Sequence, residues 1–138
     1  MTSCHFVQSA CSVEQLKIKN ESMKTQNPIQ DKSYDFALRI VKLYNYLCEE
    51  KQEFNLSRQI VRSGTSIGAN IEEGIGAFSK KDFRYKLSIA YKEARETKFW
   101  IKLLRDSGFI EKKLSKSLLD DCEELLKIRG AILVTTSK

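Results

Sequence analysis

The chain has 138 residues, which suits one domain with a hydrophobic core, and it carries only one proline and six glycines. This scarcity of turn-forming residues, together with the absence of alternating strand patterns, favours an all-helical fold. No run approaches the ~20 apolar residues of a membrane span. The N-terminal residues also lack the basic and apolar segments of a signal peptide, so we expect a cytoplasmic protein.

The formal net charge is +6, from 24 basic and 18 acidic residues, and its distribution is uneven. Residues 79–107 hold nine Lys or Arg against four Asp or Glu, so nearly all of the positive excess lies in one segment. A concentrated positive charge favours an anionic partner, although charged helix faces also serve simply to keep a protein solvated.

Residues 1–32 are polar, lack a sustained apolar period, and are predicted to form a disordered tail. Met23 opens a sequence, MKTQNPIQDK, that would serve as an ordinary N-terminus, so it is an alternative translation start. The predicted folded domain is residues 33–138.

Apolar residues at helical spacing divide the domain into four predicted helices joined by short loops. The first helix is expected from Tyr34 to Glu50, with Ser33 as its N-cap, and the second from Asn55 or Ser57 to Ala77. The third helix is expected to follow Ser79 as its N-cap and to reach Asp106. The fourth is expected to start between Glu111 and Ser115 and to end near Val134. Four such helices predict an antiparallel up-down-up-down four-helix bundle.

The second helix carries glycines on its apolar stripe, although each glycine costs about 1 kcal/mol relative to Ala inside a helix. The stripe consists of Ile60, Gly64, Ile67, Ile71, Gly74 and Phe78. We interpret Gly64 and Gly74 as points where a neighbouring helix approaches closely.

Residues suited to catalysis or metal binding are scarce. The only histidine is His5, so the Glu-x-x-His motifs of di-iron bundles are absent, and no phosphate-binding loop occurs. The four cysteines form no C-x-x-C pair, which favours reduced thiols. We therefore predict a protein that is not an enzyme and that has no cofactor or metal. The alternative, an uncharacterised enzyme, would have to use Glu72, Glu73, Glu93 and Glu96.

The third helix carries a basic face, with side chains that follow one another at helical spacing. Its members are Arg84, Tyr91, Arg95, Lys98, Lys102 and Arg105. Such a face would neutralise phosphates, and Tyr91 could stack on a base, so we predict a nucleic-acid-binding site. The alternative is a solvated face balanced by Glu93 and Glu96.

A polar row runs along the second helix, beside its apolar stripe. Its members are Gln59, Arg62, Ser63, Ser66, Asn70 and Glu73. Small residues allow close approach and the others make specific hydrogen bonds, so this row is the predicted subunit interface. The alternative is simple solvent exposure.

The stretch from Leu56 to Thr97 closely resembles the signature of bacterial four-helix bundle proteins first noticed as products of 23S rRNA intervening sequences. The matching elements are Gln59-Ile60, Arg62-Ser63, Ser66-Ile67, Ala69-Asn70-Ile71, Glu73-Gly74, Ser79, Asp82-Phe83, Ile89-Ala90 and Glu96-Thr97. The resemblance spans roughly Tyr34 to Leu133. One departure is Glu72, where Ala is common, and the extended tail is another.

This resemblance implies a four-helix bundle that assembles into a homopentamer. It also implies a relation to the accessory variability determinants of diversity-generating retroelements, which are basic proteins that bind a reverse transcriptase and nucleic acid. The first functional hypothesis is therefore an oligomeric nucleic-acid-binding accessory protein that contacts RNA or DNA through its third helix. The alternative is a structural or protein-interaction module with no nucleic-acid role.

Overall fold

The computed structural model describes Thr25 and residues 27–136, with side-chain surroundings given as far as Leu133. Throughout this part of the chain the regular structure is helical. The helices are α1 (Pro28–Glu49), α2 (Leu56–Ile75), α3 (Lys80–Asp106), α4 (Lys112–Leu126) and α5 (Ile128–Thr136). The fold is an antiparallel four-helix bundle, as predicted, in which α4 and α5 together form the fourth helix.

The first helix starts earlier than expected. It begins at Pro28, and the Asn27 side chain caps it by accepting hydrogen bonds from the backbone of Ile29 and Gln30. The predicted N-cap, Ser33, instead lies inside the helix with a buried side chain, so that assignment was wrong. Residues 28–32 are therefore helical rather than part of a disordered tail. The rest of the predicted tail lies outside the described residues, apart from Thr25 and Asn27, and so do His5, Met23 and two of the cysteines.

The other helix boundaries lie close to their predicted positions. Gly76 ends α2, and Ser79 caps α3 by accepting a hydrogen bond from the backbone of Asp82 at 3.1 Å. Gly108 follows α3 with a positive φ of 83°, a conformation that favours glycine. The fourth helix was predicted to be continuous, but it is interrupted at Lys127, where the hydrogen bonds tighten to three-residue steps.

Contacts between helices fix the antiparallel order. Early residues of α1 meet late residues of α2, since the Gln30 side chain bonds to Glu72 while Ile40 packs on Gly64. The buried core is made by all the helices. Its members are Phe36, Ile40, Leu43, Leu47, Ile60, Ile67, Ile71, Leu87, Ala90, Ala94, Ile101, Leu104, Ile110, Leu114, Leu118, Cys122, Leu125 and Ile128. Within the described ranges, none of the helices combines the length and hydrophobicity that crossing a bilayer requires.

Candidate nucleic-acid interface

The buried stripe of α3 decides which side chains of this helix can reach solvent. Leu87, Ala94 and Ile101 face the core. The predicted basic face lies on the flank of α3 that adjoins α4, because its member Lys98 pairs with Glu123 of α4. The helix has 27 residues, so at ~1.5 Å per residue it is about 40 Å long. A flank of that length offers a straight, rigid row for several charged groups.

Lys98 of α3 binds a carboxylate of α4, and Arg95 and Lys102 lie on the same flank of α3. The Lys98 ammonium donates a hydrogen bond to Glu123, and this bond is the main reason that the pKa of Glu123 lies below its ordinary value. The positive charges of Arg95 and Lys102 lower that pKa further. These three cations outnumber the one carboxylate that binds among them, and we call Arg95, Lys98 and Lys102 the basic cluster.

The remaining members of the predicted face are less available. Arg105 donates to the neighbouring Asp106 at 2.8 Å, and this hydrogen bond lowers the pKa of Asp106. Arg84 is half-buried. Tyr91 is also partly buried and packs against the core, so its ring is less open to a stacking partner than the sequence suggested. Of the six predicted residues, Lys98 is thus paired across to α4, Arg95 and Lys102 are exposed beside it, and the other three are less available.

The polar row of α2 lies along the seam between α2 and α3 of the same chain. Ser63 is completely buried, and its hydroxyl lies 2.9 Å from that of Thr97 on α3. Arg62 pairs with Glu93 at 3.3 Å and with Glu96. These contacts make Arg62 and Ser63 part of the packing within one protomer.

The other members of this row differ in their partners and in their exposure to solvent. Glu73 pairs with Lys86 of α3 at 3.0 Å, and Asn70 donates to the backbone oxygen of Ser66 at 2.8 Å. Gln59 is exposed. The exposed members remain the predicted subunit contacts.

The carboxylates considered for catalysis each have a partner. Glu93 and Glu96 bind Arg62, Glu73 binds Lys86, and Glu72 accepts a hydrogen bond from Gln30. Among the described residues, no three metal-ligating side chains lie together in one place.

Sequence reasoning missed two side chains that the structure makes conspicuous. Arg39 is almost fully buried between α1 and α4, where it binds Asp121 and the hydroxyl of Ser117. Phe99, by contrast, is an aromatic residue on α3 whose side chain is exposed. The available signal was that Phe99 falls off the apolar stripe and between two basic residues, Arg95 and Lys102.

Comparison with known proteins identifies the family. Residues 25–131 match the 23S rRNA-intervening sequence protein family. The chain belongs to this family. The match covers most of the chain and confirms the resemblance drawn from the motif between Leu56 and Thr97.

A solved structure supports the same assignment of this 23S rRNA-intervening sequence protein. It is the crystal structure of a protein with unknown function from the S23 ribosomal protein family of Bacteroides thetaiotaomicron VPI-5482. The two chains are 49% identical, with a TM-score of 0.72 over 72% of this chain and 93% of the other. Among curated proteins, no sequence matches the chain.

Proposed function

We propose that this protein is a non-enzymatic, oligomeric accessory protein of the cytoplasm that binds nucleic acid through the basic flank of α3. The observation that carries the proposal is the basic cluster, in which Lys98 binds Glu123 while Arg95 and Lys102, on the same flank of α3, are exposed. Lys98 binds Glu123, and Arg95 and Lys102 are both exposed, so the charges of these two residues are accessible to phosphates.

The expected subunit contacts are the exposed members of the polar row on α2, namely Gln59, Arg62 and Glu73. A ring of subunits would present several copies of the basic cluster to one nucleic-acid strand, and repeated weak contacts add to overall affinity. The homopentamer and the reverse-transcriptase partner implied by the family resemblance stay predictions, and light scattering with and without an oligonucleotide measures the subunit number.

The salt dependence of binding tests the nucleic-acid proposal. Replacing Arg95 and Lys102 with Gln removes two phosphate contacts but leaves the Lys98–Glu123 pair intact. The slope of log affinity against log salt should become shallower by roughly 1.4–1.8, since each phosphate contact contributes about 0.7 on single strands and 0.9 on duplex DNA.

A charge-matched control is the double variant Lys51→Gln and Arg58→Gln. Both side chains are exposed, they lie at or next to the α1–α2 connection, and neither belongs to the basic cluster. The control should keep the wild-type slope. An equal change in both double variants, or no affinity for RNA and DNA in the wild type, would count against the proposal.

A second candidate function is a protein-interaction module without a nucleic-acid role. The turn between α2 and α3 favours it, because Ile75 is 43% exposed and the ring of Phe78 is entirely exposed. Exposed apolar groups of this kind are common at protein interfaces. A pull-down that recovers a protein partner through Phe78, but no RNA or DNA, would support this function instead.

A further inference from the structure

Phe99 lies on α3 beside the basic cluster and is open to solvent. Its side chain is 57% exposed, although phenylalanine usually contributes its ring to the core. It follows Arg95 by four residues and precedes Lys102 by three, so the three side chains occupy consecutive turns on neighbouring positions of the helix surface. Both basic neighbours are exposed.

The ring of Phe99 is held in place from one side. Trp100 packs edge-on against it, with the ring centroids 4.9 Å apart and the planes at 78°. Trp100 is itself partly buried against the core, and its indole nitrogen donates to Glu96 at 3.2 Å. Glu96 in turn binds Arg62 of α2. The orientation of the exposed ring is thus supported by contacts that reach across two helices.

The charges around Phe99 suit phosphate groups. The nearby carboxylates have cationic partners already, because Glu96 binds Arg62, Glu123 binds Lys98 and Asp106 binds Arg105. Arg95 and Lys102 therefore flank an aromatic ring with positive charge on both sides along the helix.

We propose that Phe99 is a stacking platform for an unpaired base, and that the protein therefore binds single-stranded nucleic acid. This inference rests on the proposed nucleic-acid function and specifies the class of ligand. Phosphate contacts alone do not distinguish a duplex from a single strand, because both carry a charged backbone. An aromatic ring flanked by cations does distinguish them, since only an unpaired base can place its face on the ring while its own phosphates reach the flanking Arg and Lys side chains.

The test compares wild type with Phe99→Ala on oligothymidine and oligouridine of about a dozen nucleotides, and on a duplex of the same length. Wild type should prefer the single strands. The substitution should weaken single-strand binding roughly 5- to 150-fold, which corresponds to losing one stacked base. It should leave duplex binding and the salt slope unchanged, because no charge is removed.

Phe78→Ala is the matched control, because it deletes an exposed phenylalanine that lies before α3, roughly 30 Å along the helix from Phe99. This control should bind like wild type, and Phe99→Tyr should retain the affinity of wild type because tyrosine also offers a ring face. A wild-type preference for duplex, or equal losses in Phe78→Ala and Phe99→Ala, would overturn the proposal. So would a Phe99→Ala variant that changes subunit association but not oligonucleotide affinity, since Phe99 would then belong to a protein interface.

Intrinsic fluorescence gives a second, independent measurement. Trp100 is the only tryptophan in the chain, and it touches Phe99 directly. Single strands should perturb its emission in wild type, whereas duplex should not. Unchanged emission at saturating single strand would contradict stacking at Phe99.

The two proposals can fail separately. If Arg95→Gln with Lys102→Gln flattens the salt slope but Phe99→Ala leaves single-strand affinity intact, the stacking platform is rejected and the nucleic-acid function stands. If wild type binds neither single strands nor duplex at low salt, both proposals are rejected.

Discussion

Gly64 of α2 lies directly against Ile40 of α1. A Cβ atom at position 64 would stand 2.8 Å from Cγ2 and 3.2 Å from Cβ of Ile40. Both distances are shorter than van der Waals contact, and Ile40 is branched at Cβ and completely buried, so it cannot easily move aside. The glycine is therefore what lets α1 and α2 approach each other at this level of the bundle.

Gly64→Ala should destabilise the protein despite placing a better helix former in α2. The helix propensity gained is about 1 kcal/mol, whereas overpacking a filled core typically costs about 1–3 kcal/mol. We expect a net loss in the free energy of unfolding, measured by urea denaturation. Gly68→Ala is the control, since its nearest neighbour would be the Ser33 carbonyl oxygen at 3.4 Å, an ordinary contact. It should be neutral or slightly stabilising, and equal effects at the two positions would contradict the packing argument.

The sequence predicted the close approach of a neighbouring helix at Gly64, because this glycine lies on the apolar stripe of α2. Apolar residues at helical spacing give the buried face of each helix, and capping residues such as Ser79 and Gly76 give its ends. The early start of α1 was also readable, because Asn27 followed by Pro28 is a common helix start. Periodicity does not reveal this start, because residues 28–32 lack an apolar stripe.

The neighbours of each polar side chain were harder to predict. Periodicity shows that Ser63 lies beside the apolar stripe of α2, but not that α3 covers it with Thr97. Likewise, nothing in the sequence distinguishes Arg39, which is buried, from an ordinary exposed arginine. The faces of helices follow from spacing along one segment, whereas these contacts depend on how two segments pack together.

Cys122 should be unreactive in the folded protein. Burial raises the pKa of its thiol to about 12, and the nearby charges of Asp121 and Glu123 act in the same direction. Alkylation requires the thiolate, which is therefore scarce at neutral pH, and the side chain is also shielded from the reagent. Mass mapping after iodoacetamide treatment should find Cys122 unmodified in buffer and modified in urea. Modification in buffer at the rate of the unfolded chain would show that the α4 side of the core opens readily.

Glu124 should stabilise the fold in a manner that depends on pH. Hydrogen bonds from Lys32 and Lys127 lower its pKa from 4.5 to about 2 in the folded protein. A lowered folded-state pKa adds stability that is present above pH 4.5 and is lost as the pH falls towards 2. Wild type and Glu124→Gln should therefore differ in unfolding free energy at neutral pH and converge near pH 2.

The partner residue provides the control for this pH effect. The Lys32 ammonium of α1 lies 2.9 Å from the Glu124 carboxylate of α4. In a Lys32→Gln background, Glu124→Gln should therefore change the unfolding free energy less than it does in wild type. High salt should also reduce it, because both side chains are substantially exposed and their interaction is screened. A difference that stays constant from pH 2 to 7 would mean that charge plays no part in it.

Arg39 and Asp121 should respond unequally to substitution. The guanidinium of Arg39 is buried, and its Nε has no hydrogen-bond partner among the described residues, whereas the Asp121 side chain is 42% exposed. Asp121→Ala leaves a buried charge without its main partner and should cost about 1.5–3 kcal/mol in unfolding free energy. Arg39→Met removes the buried charge, keeps most of the packing volume and leaves Asp121 to be hydrated by solvent, so it should cost less. Urea unfolding of both variants measures the difference, with Ser117→Ala as a control that removes one acceptor of the guanidinium without removing a charge. A larger loss for Arg39→Met would mean that the packing of the arginine stem, rather than its charge, holds α1 to α4.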